Sequence, residues 1–547
     1  MLFFCKKRIF SRPRATAAPR SCARCSRLFR RWRAGFAAAL LATLLLGAGC
    51  GTNPVTGESE LALVSTEQEI GIGRQSYGPQ RQAEGGDYVL EPALTRYVQD
   101  VGARLAAVSD RQLPYEFRIV NDSTPNAWAL PGGKIAINRG LLVELETEAE
   151  LAAVLAHEIV HAAARHGAQG MERGTLLQGA LIATGVALGD AAYRDLAMSG
   201  AQLGAQMVHT KYGRDAEREA DLYGMRYMAR AGYDPAAAAH LQETFVRLAE
   251  GREANWLEGL FASHPPSRER VDNNRVEARR LGVANGVVGR ERYQQAIARL
   301  KRNRPAYEAY DTAREAIAED RRKAALELVE KALRIEPEES LFHGLRGDLL
   351  AAAGNKREAR ASYDRALELN PDYFKHYLSR GFVRRDLGDV AGARSDFSRS
   401  LDLLPTKEAR YGLGRLAADR GDASEAVRQF RTVADTDTPV GRTAARDLAK
   451  LDLEDNPGNY IAAGVRLNAR GYLDVVVENR AALAVERIRV AVLREAGAAR
   501  RSVATYAVDG RLDPGQRRAF PTELGPLDAA AARHYAARVV RAVVAGQ

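Results

Sequence analysis

Three residue types recur in phase every 34 residues in the second half of this chain, and no other feature restricts its fold so tightly. Pro337, Pro371 and Pro405 are spaced 34 and 34 apart; Gly354, Gly388 and Gly421 are spaced 34 and 33. Ala325, Ala359 and Ala393 keep the interval, and Val329, Tyr363 and Phe397 follow in register. A unit of this length holds two helices and their turns, and it buries its apolar face only by stacking on its neighbours. Glycine closes the first helix, alanine lets the paired helices approach, and proline ends the second. A plain helical bundle would not keep three residue types in phase. The pattern predicts about four units over residues 305–450, the first with Asp320 in the glycine position and the last weaker beyond Val433.

This is the tetratricopeptide signature, and it implies an α-solenoid whose concave face binds protein partners. At 547 residues the chain has room for two or three further domains. From about Glu67 to Leu300 the pattern is mainly helical, with one β-like stretch. YEFRIVND (115–122) alternates as a half-buried strand does, and ALPGGKIAINRG (129–140) reads as a Gly-Gly turn and a short strand. Residues 133–138 are expected along a cleft, with an exposed edge able to pair with an extended peptide. The apolar run 175–205 suits a core better than a lid. After the repeats, 472–479, 486–495, 502–508 and 537–545 are β-branched and alternating, and RLDPGQRRAF (511–520) carries a turn. Residues 455–547 therefore predict a small antiparallel β-sandwich. The fold class is multidomain and mainly α.

The net charge of +11 invites a nucleic-acid partner, but its distribution removes that reading. Eleven Lys and Arg residues lie between Lys6 and Arg33, and the first acidic residue is Glu58; without those 11, 69 basic residues face 69 acidic ones. The basic stretch, the apolar run GFAAALLATLLL (35–46) and GAGC (47–50) have the three parts of an export signal, so residues 1–49 are expected to be a cleaved signal peptide. All four cysteines, Cys5, Cys22, Cys25 and Cys50, lie in or just after it, which leaves the folded portion without disulfides. Cys50 resembles the lipid-modified cysteine of bacterial lipoproteins, although Gly47 and Gly49 also suit ordinary signal-peptidase cleavage. Gly51 after the cysteine points to the outer membrane, with 50–66 as a turn-rich tether. The expected location is the periplasm, lipid-anchored through Cys50.

Thr147-Glu148-Ala149-Glu150 reads as a capping box opening the helix LAAVLAHEIVHAAARH, which should end before Gly167. His157 and His161 are four apart, so both imidazoles leave one face and can reach one Zn²⁺ at ~2.0–2.1 Å. Glu158 lies beside that face, placed to take a proton from an attacking water. Two histidines and a glutamate on an apolar helix would be costly to bury without a ligand. A catalytic zinc needs a third protein ligand and an open position. The metzincin continuation fails, because Gly167 stands where a histidine is required; His166 is one place off and reads as a helix-end residue near terminal carbonyls. Downstream, Glu217 and Asp221 are four apart on the helix of GRDAEREADLYGMRYMARAGYDP (213–235). One can supply a carboxylate to the metal and the other can fix a ligand histidine's tautomer. Glu219 points to another face and is the weaker choice.

The elements NAWALPGGKIAINRGLL (126–142), HEIVH (157–161), GRDAEREAD (213–221), AGYDP (231–235) and SHPPSRER (263–270) together resemble the M48 peptidase family over about residues 67–275. Gly213 departs from the serine common before Arg214. The resemblance implies a gluzincin-type domain over 67–300, with one zinc held by His157, His161 and Glu217. It makes Glu158 the general base and acid and Asp221 the partner of a ligand histidine. Exported, repeat-bearing members imply an endopeptidase for misfolded or misassembled envelope proteins, recruited through the repeats; an assembly scaffold or chaperone is the other reading. His264, made rigid by Pro265 and Pro266, either donates to the oxyanion or occupies the fourth zinc position.

Overall fold

A computed structural model describes residues 50–176, 212–251, 264–496 and 499–546. The expected signal peptide, with Cys5, Cys22 and Cys25, lies outside these residues, as does nearly all of the apolar run 175–205. Among the described residues no helix is long and apolar enough to cross a membrane.

The first layer is a three-stranded sheet of β3 (Glu116–Val120), β4 (Ala127–Leu130) and β5 (Lys134–Asn138), preceded by helices α1 (Thr66–Ala83) and α2 (Pro92–Ala106). Strand alternation divides its side chains. Val120, Trp128, Leu130 and Ala136 pack with Tyr77 of α1. Phe117, Ile119, Ala127, Ala129, Ile135 and Ile137 face the main core with α2 and α3 (Glu148–Ala163). The strand order is β3-β5-β4, with β3 parallel and β4 antiparallel to β5. This corrects the expectation for residues 133–138: β5 is the central strand, bonded on both sides, and the sheet's edges are β3 and β4. Gly132 and Gly133, with φ of 78° and 83°, make the turn between β4 and β5.

Residues 50–66 are not a free tether. β1 (Cys50–Thr52) and β2 (Ser59–Leu61) form an antiparallel hairpin whose Asn53 and Val55 are buried. Asn53 Nδ2 donates to Ala164 O (3.3 Å), and Leu63 N and Val64 N both donate to Glu172 Oε1 (2.9 Å each). The hairpin thus seals the end of α3.

Helices α4 (Arg214–Arg230), α5 (Ala236–Gly251) and α6 (Arg268–Leu281) complete this region, and the repeats follow as antiparallel pairs. The pairs are α7 (Arg304–Ala318) with α8 (Arg322–Ile335), α9 (Ser340–Ala352) with α10 (Lys356–Leu369), α11 (Phe374–Asp386) with α12 (Val390–Leu403), and α13 (Lys407–Asp419) with α14 (Ala423–Ala434); α15 (Pro439–Asp452) closes the stack. Gly354, Gly388 and Gly421 have φ of 85°, 83° and 77°, and Asp320 takes the same left-handed position at 59°. A second glycine row went unread in the sequence. A Cβ on Gly347, Gly381 or Gly414 would meet the ring of Tyr363, Phe397 or Phe430 at 2.6, 2.8 and 2.6 Å. In the first pair the exchange is Ala313 with the smaller Val329, both fully buried.

The last region is two three-stranded antiparallel sheets, β10-β7-β6 and β11-β8-β9, sharing one core that includes Ile461, Val475, Val477, Ile488, Val490, Val508 and Val539. β7 (Leu473–Asn479), β8 (Val485–Ala496), β9 (Ala499–Val508) and β11 (Tyr535–Val544) correspond to the four expected strands; β6 (Ile461–Leu467) and β10 (Arg517–Pro521) were not anticipated.

Candidate metal centre

Helix α3 is buried along nearly its whole length, so its polar residues have to be satisfied from neighbouring elements. Thr147 Oγ1 accepts from Glu150 N (3.1 Å), which is half of the expected capping box; the Glu150 carboxylate turns instead to Glu146 N (2.6 Å). The helix stops earlier than expected. Arg165 adopts φ 62°, and a second helical run begins at residue 166. Four acceptors hold Arg165 in that conformation: Glu60 (2.5 Å), Glu69 (2.7 Å), Glu172 (3.0 Å) and Val64 O (2.8 Å).

Helix α4 lies directly on α3. A Cβ on Gly224 would stand 3.2 Å from His157 N, so glycine there lets the two backbones close up and delivers Glu217, two turns earlier, to the histidines. The third element is the segment 264–270, in which Ser267 caps α6 by accepting from Arg270 N (3.2 Å).

Ligand atoms of His157, His161, Glu217 and His264 all lie within 4.8 Å of one another. His157 Nε2 and His161 Nε2 are 3.0 Å apart; His264 Nδ1 is 3.2 Å from His157 Nε2 and 2.8 Å from Glu217 Oε1. Glu217 Oε1 is 3.4 Å from His161 Nε2, and Oε2 is 3.6 Å from His157 Nε2. The outer nitrogens have their own partners. His157 Nδ1 is 3.1 Å from Asp221 Oδ1, and His161 Nδ1 is 2.8 Å from His166 Nδ1. The Tyr212 ring stacks on His161 at 3.9 Å between centroids.

Two ring nitrogens that face each other while their outer nitrogens are engaged can share a proton or a metal cation between them. Glu158 Oε2 is buried without a hydrogen-bond partner, which suits a centre completed by a substrate or water. Imidazoles with one carboxylate form a donor set that a divalent first-row cation accepts. The residues fit such a metal.

The buried charges act strongly on one another. Burial would depress His157, but Asp221 and Glu217 outweigh it and raise its pKa to about 10. Burial lowers His161 well below the usual histidine value, only partly offset by Glu217. Burial raises Glu158, against His264 and His157. Glu217 goes the other way: burial opposes ionisation, yet His264 and the other histidines hold its carboxyl far below the ordinary range. In Asp221 the same contest is won by Arg270, whose Nε and NH2 each donate at 2.7 Å. Arg270 NH1 also lies 3.0 Å from Glu217 Oε2.

Three partners were missed or misread in the sequence. Arg270 lies within SHPPSRER, but nothing local reveals which carboxylates it meets. His166 does not cap carbonyls; it bonds His161. Glu219, expected to face away, has its Oε2 3.1 Å from His166 Nε2.

Residues 92–277, which hold the four candidate ligands with Glu158, His166, Glu219, Asp221 and Arg270, match the family model for peptidase family M48. They are an M48 peptidase domain. Residues 340–373 and 378–439 match tetratricopeptide repeat models, so the M48 domain is followed by a repeat array. A putative β-barrel assembly-enhancing protease of Vibrio cholerae is 33% identical over 200 residues, 35% of this chain and 40% of that protein. The β-barrel assembly-enhancing protease of Escherichia coli (strain K12) is 27% identical over 267 residues, 46% of this chain and 54% of the other. The mitochondrial metalloendopeptidase OMA1 of Schizosaccharomyces pombe is 34% identical over 230 residues, 40% of this chain and 63% of its own length. The chain thus spans about half the length of the bacterial relatives it matches.

Proposed function

We propose that the chain is a zinc-dependent endopeptidase that hydrolyses misfolded or misassembled cell-envelope proteins, with the repeats recruiting substrates or partners. The carrying observation is the convergence of His157, His161 and Glu217 beside a buried Glu158 whose Oε2 is uncommitted. The M48 domain and the proteases among its relatives support the reading. In it, His157, His161 and Glu217 would hold one zinc, and that ion would supply Lewis acidity. Glu158, kept basic by burial, accepts the proton of the attacking water and returns it to the leaving amine. Asp221, clamped by Arg270, accepts from His157 Nδ1–H and leaves its Nε2 lone pair for the metal. An export signal and a lipid on Cys50 would put this activity in the periplasm, at the outer membrane.

His264 stands with Nδ1 among the ligand atoms, which favours the fourth-ligand reading over the oxyanion donor. With His264 as a ligand the site would lack an open position, and the chain would act as a scaffold through its repeats. Glu158→Gln separates the two activities. Wild type and variant should carry equal zinc, with cleavage of unfolded envelope proteins lost from the variant. Retained, chelator-sensitive proteolysis in Glu158→Gln would remove Glu158 from the mechanism.

A further inference from the structure

With the imidazoles neutral and the carboxylate ionised, the contacts behind His161 form a chain with one consistent proton assignment. Glu219 Oε2 lies 3.1 Å from His166 Nε2, and His166 Nδ1 lies 2.8 Å from His161 Nδ1. An ionised carboxylate only accepts hydrogen bonds, so it draws the proton of a neutral His166 to Nε2 and leaves Nδ1 bare. A bare His166 Nδ1 can only accept, so His161 must carry its own proton on Nδ1. His161 Nε2 then keeps its lone pair, and it is this nitrogen that lies 3.0 Å from His157 Nε2 and 3.4 Å from Glu217 Oε1.

We propose that His166 and Glu219 are positioning residues that select the cation-binding tautomer of His161, as Asp221 and Arg270 do for His157. The two ligand histidines are supported by separate devices, one a carboxylate with an arginine, the other a histidine with a carboxylate. The backbone is shaped for the second. Arg165 leaves the helical region at φ 62°, and the break between α3 and the run that follows turns the His166 ring back onto His161. An uninterrupted helix would place residue 166 five positions on, about 140° around the axis from residue 161. The glutamates and carbonyl around Arg165 hold that break, so the N-terminal hairpin contributes through Glu60 to the alignment of a ligand. The His166 side chain is 3% exposed and that of Glu219 31%, so the relay runs from the ligand toward the surface.

This inference rests on the zinc reading of the site, and the test separates the two. Zinc affinity of the full chain is measured by chelator competition for wild type, Glu219→Leu, His166→Phe and His166→Asn, with the melting temperature of each metal-free protein. Glu219→Leu and His166→Phe should bind zinc about 10–100-fold more weakly, with metal-free melting close to wild type. His166→Asn, whose amide oxygen can accept from His161 Nδ1–H, should recover most of that loss. Unchanged affinity in Glu219→Leu overturns the proposal without depending on how well the Phe variant folds. An Asn variant no better than Phe also overturns it, since the role would then be packing. If wild type takes up no zinc, the underlying reading fails first, and the relay with it.

Discussion

At the scale of single residues, the site depends as much on what is small as on what is charged. Gly224 is the contact where α4 meets the backbone of His157, and the spare distance is about one tight methyl contact. Alanine there should be tolerated with slight adjustment, whereas Gly224→Val is expected to push α4 away and cost about 1–3 kcal/mol. Calorimetry together with zinc stoichiometry checks this; a valine variant with full stability and full metal would mean that the close approach does not position Glu217. The candidate ligand pair His157 and His161, with Glu158, was legible because their spacing on one helix is local information. Glu217 and Asp221 became legible only through their own helical spacing and the family resemblance. Arg270, His166 and Glu219 were not. Their roles follow from which face of α6 and α4 turns inward and from a left-handed residue at 165, and no local pattern records either.

At the scale of elements, the repeats were the most readable part, since each unit repeats the same packing problem. The glycine that closes each first helix showed as a period, and Asp320 keeps the left-handed conformation where the period lapses. The inner row, Gly347, Gly381 and Gly414, pairs a missing side chain with an aromatic ring from the second helix of the same unit. Gly381→Val should therefore destabilise the array by about 1–3 kcal/mol through overpacking against Phe397. The paired change Gly381→Val with Phe397→Val, which follows the Ala313 and Val329 exchange of the first unit, should recover part of that; equal denaturation midpoints for single and double variants would show that the two positions do not trade volume. Strand order was the weak point. The period of two located β5 but could not tell a central strand from an edge, because pairing partners come from elsewhere in the chain. β6 escaped notice because IAAGVRL is rich in small residues, and the hairpin at 50–61 because Asn53 and Val55 sit among turn formers.

At the scale of the whole molecule, the M48 domain and the first repeats are one body of packing. The main core runs from the sheet through Tyr307 to Ala332, Leu341, Phe342 and Tyr373. Buried Glu339 accepts from Asn121 Nδ2 (3.1 Å) and Tyr307 OH (2.6 Å), and Gln82 bonds Asp372 O (2.6 Å) and Phe374 N (2.9 Å). Under the proposed function, a substrate recruited by the first repeats would be held against the M48 domain by this shared core, not on a loose linker. The whole account stands on one cation gathered by side chains from α3, α4 and the segment before α6. Zinc-edge X-ray absorption on the purified full chain, alongside metal analysis of wild type and Glu217→Ala, tests it most directly. One zinc per chain is expected, with a shell of nitrogen and oxygen at ~2.0–2.1 Å and imidazole scattering, and most bound zinc should be lost in the variant. A chain that binds no stoichiometric zinc, or one whose zinc shell is unchanged in Glu217→Ala, would contradict it.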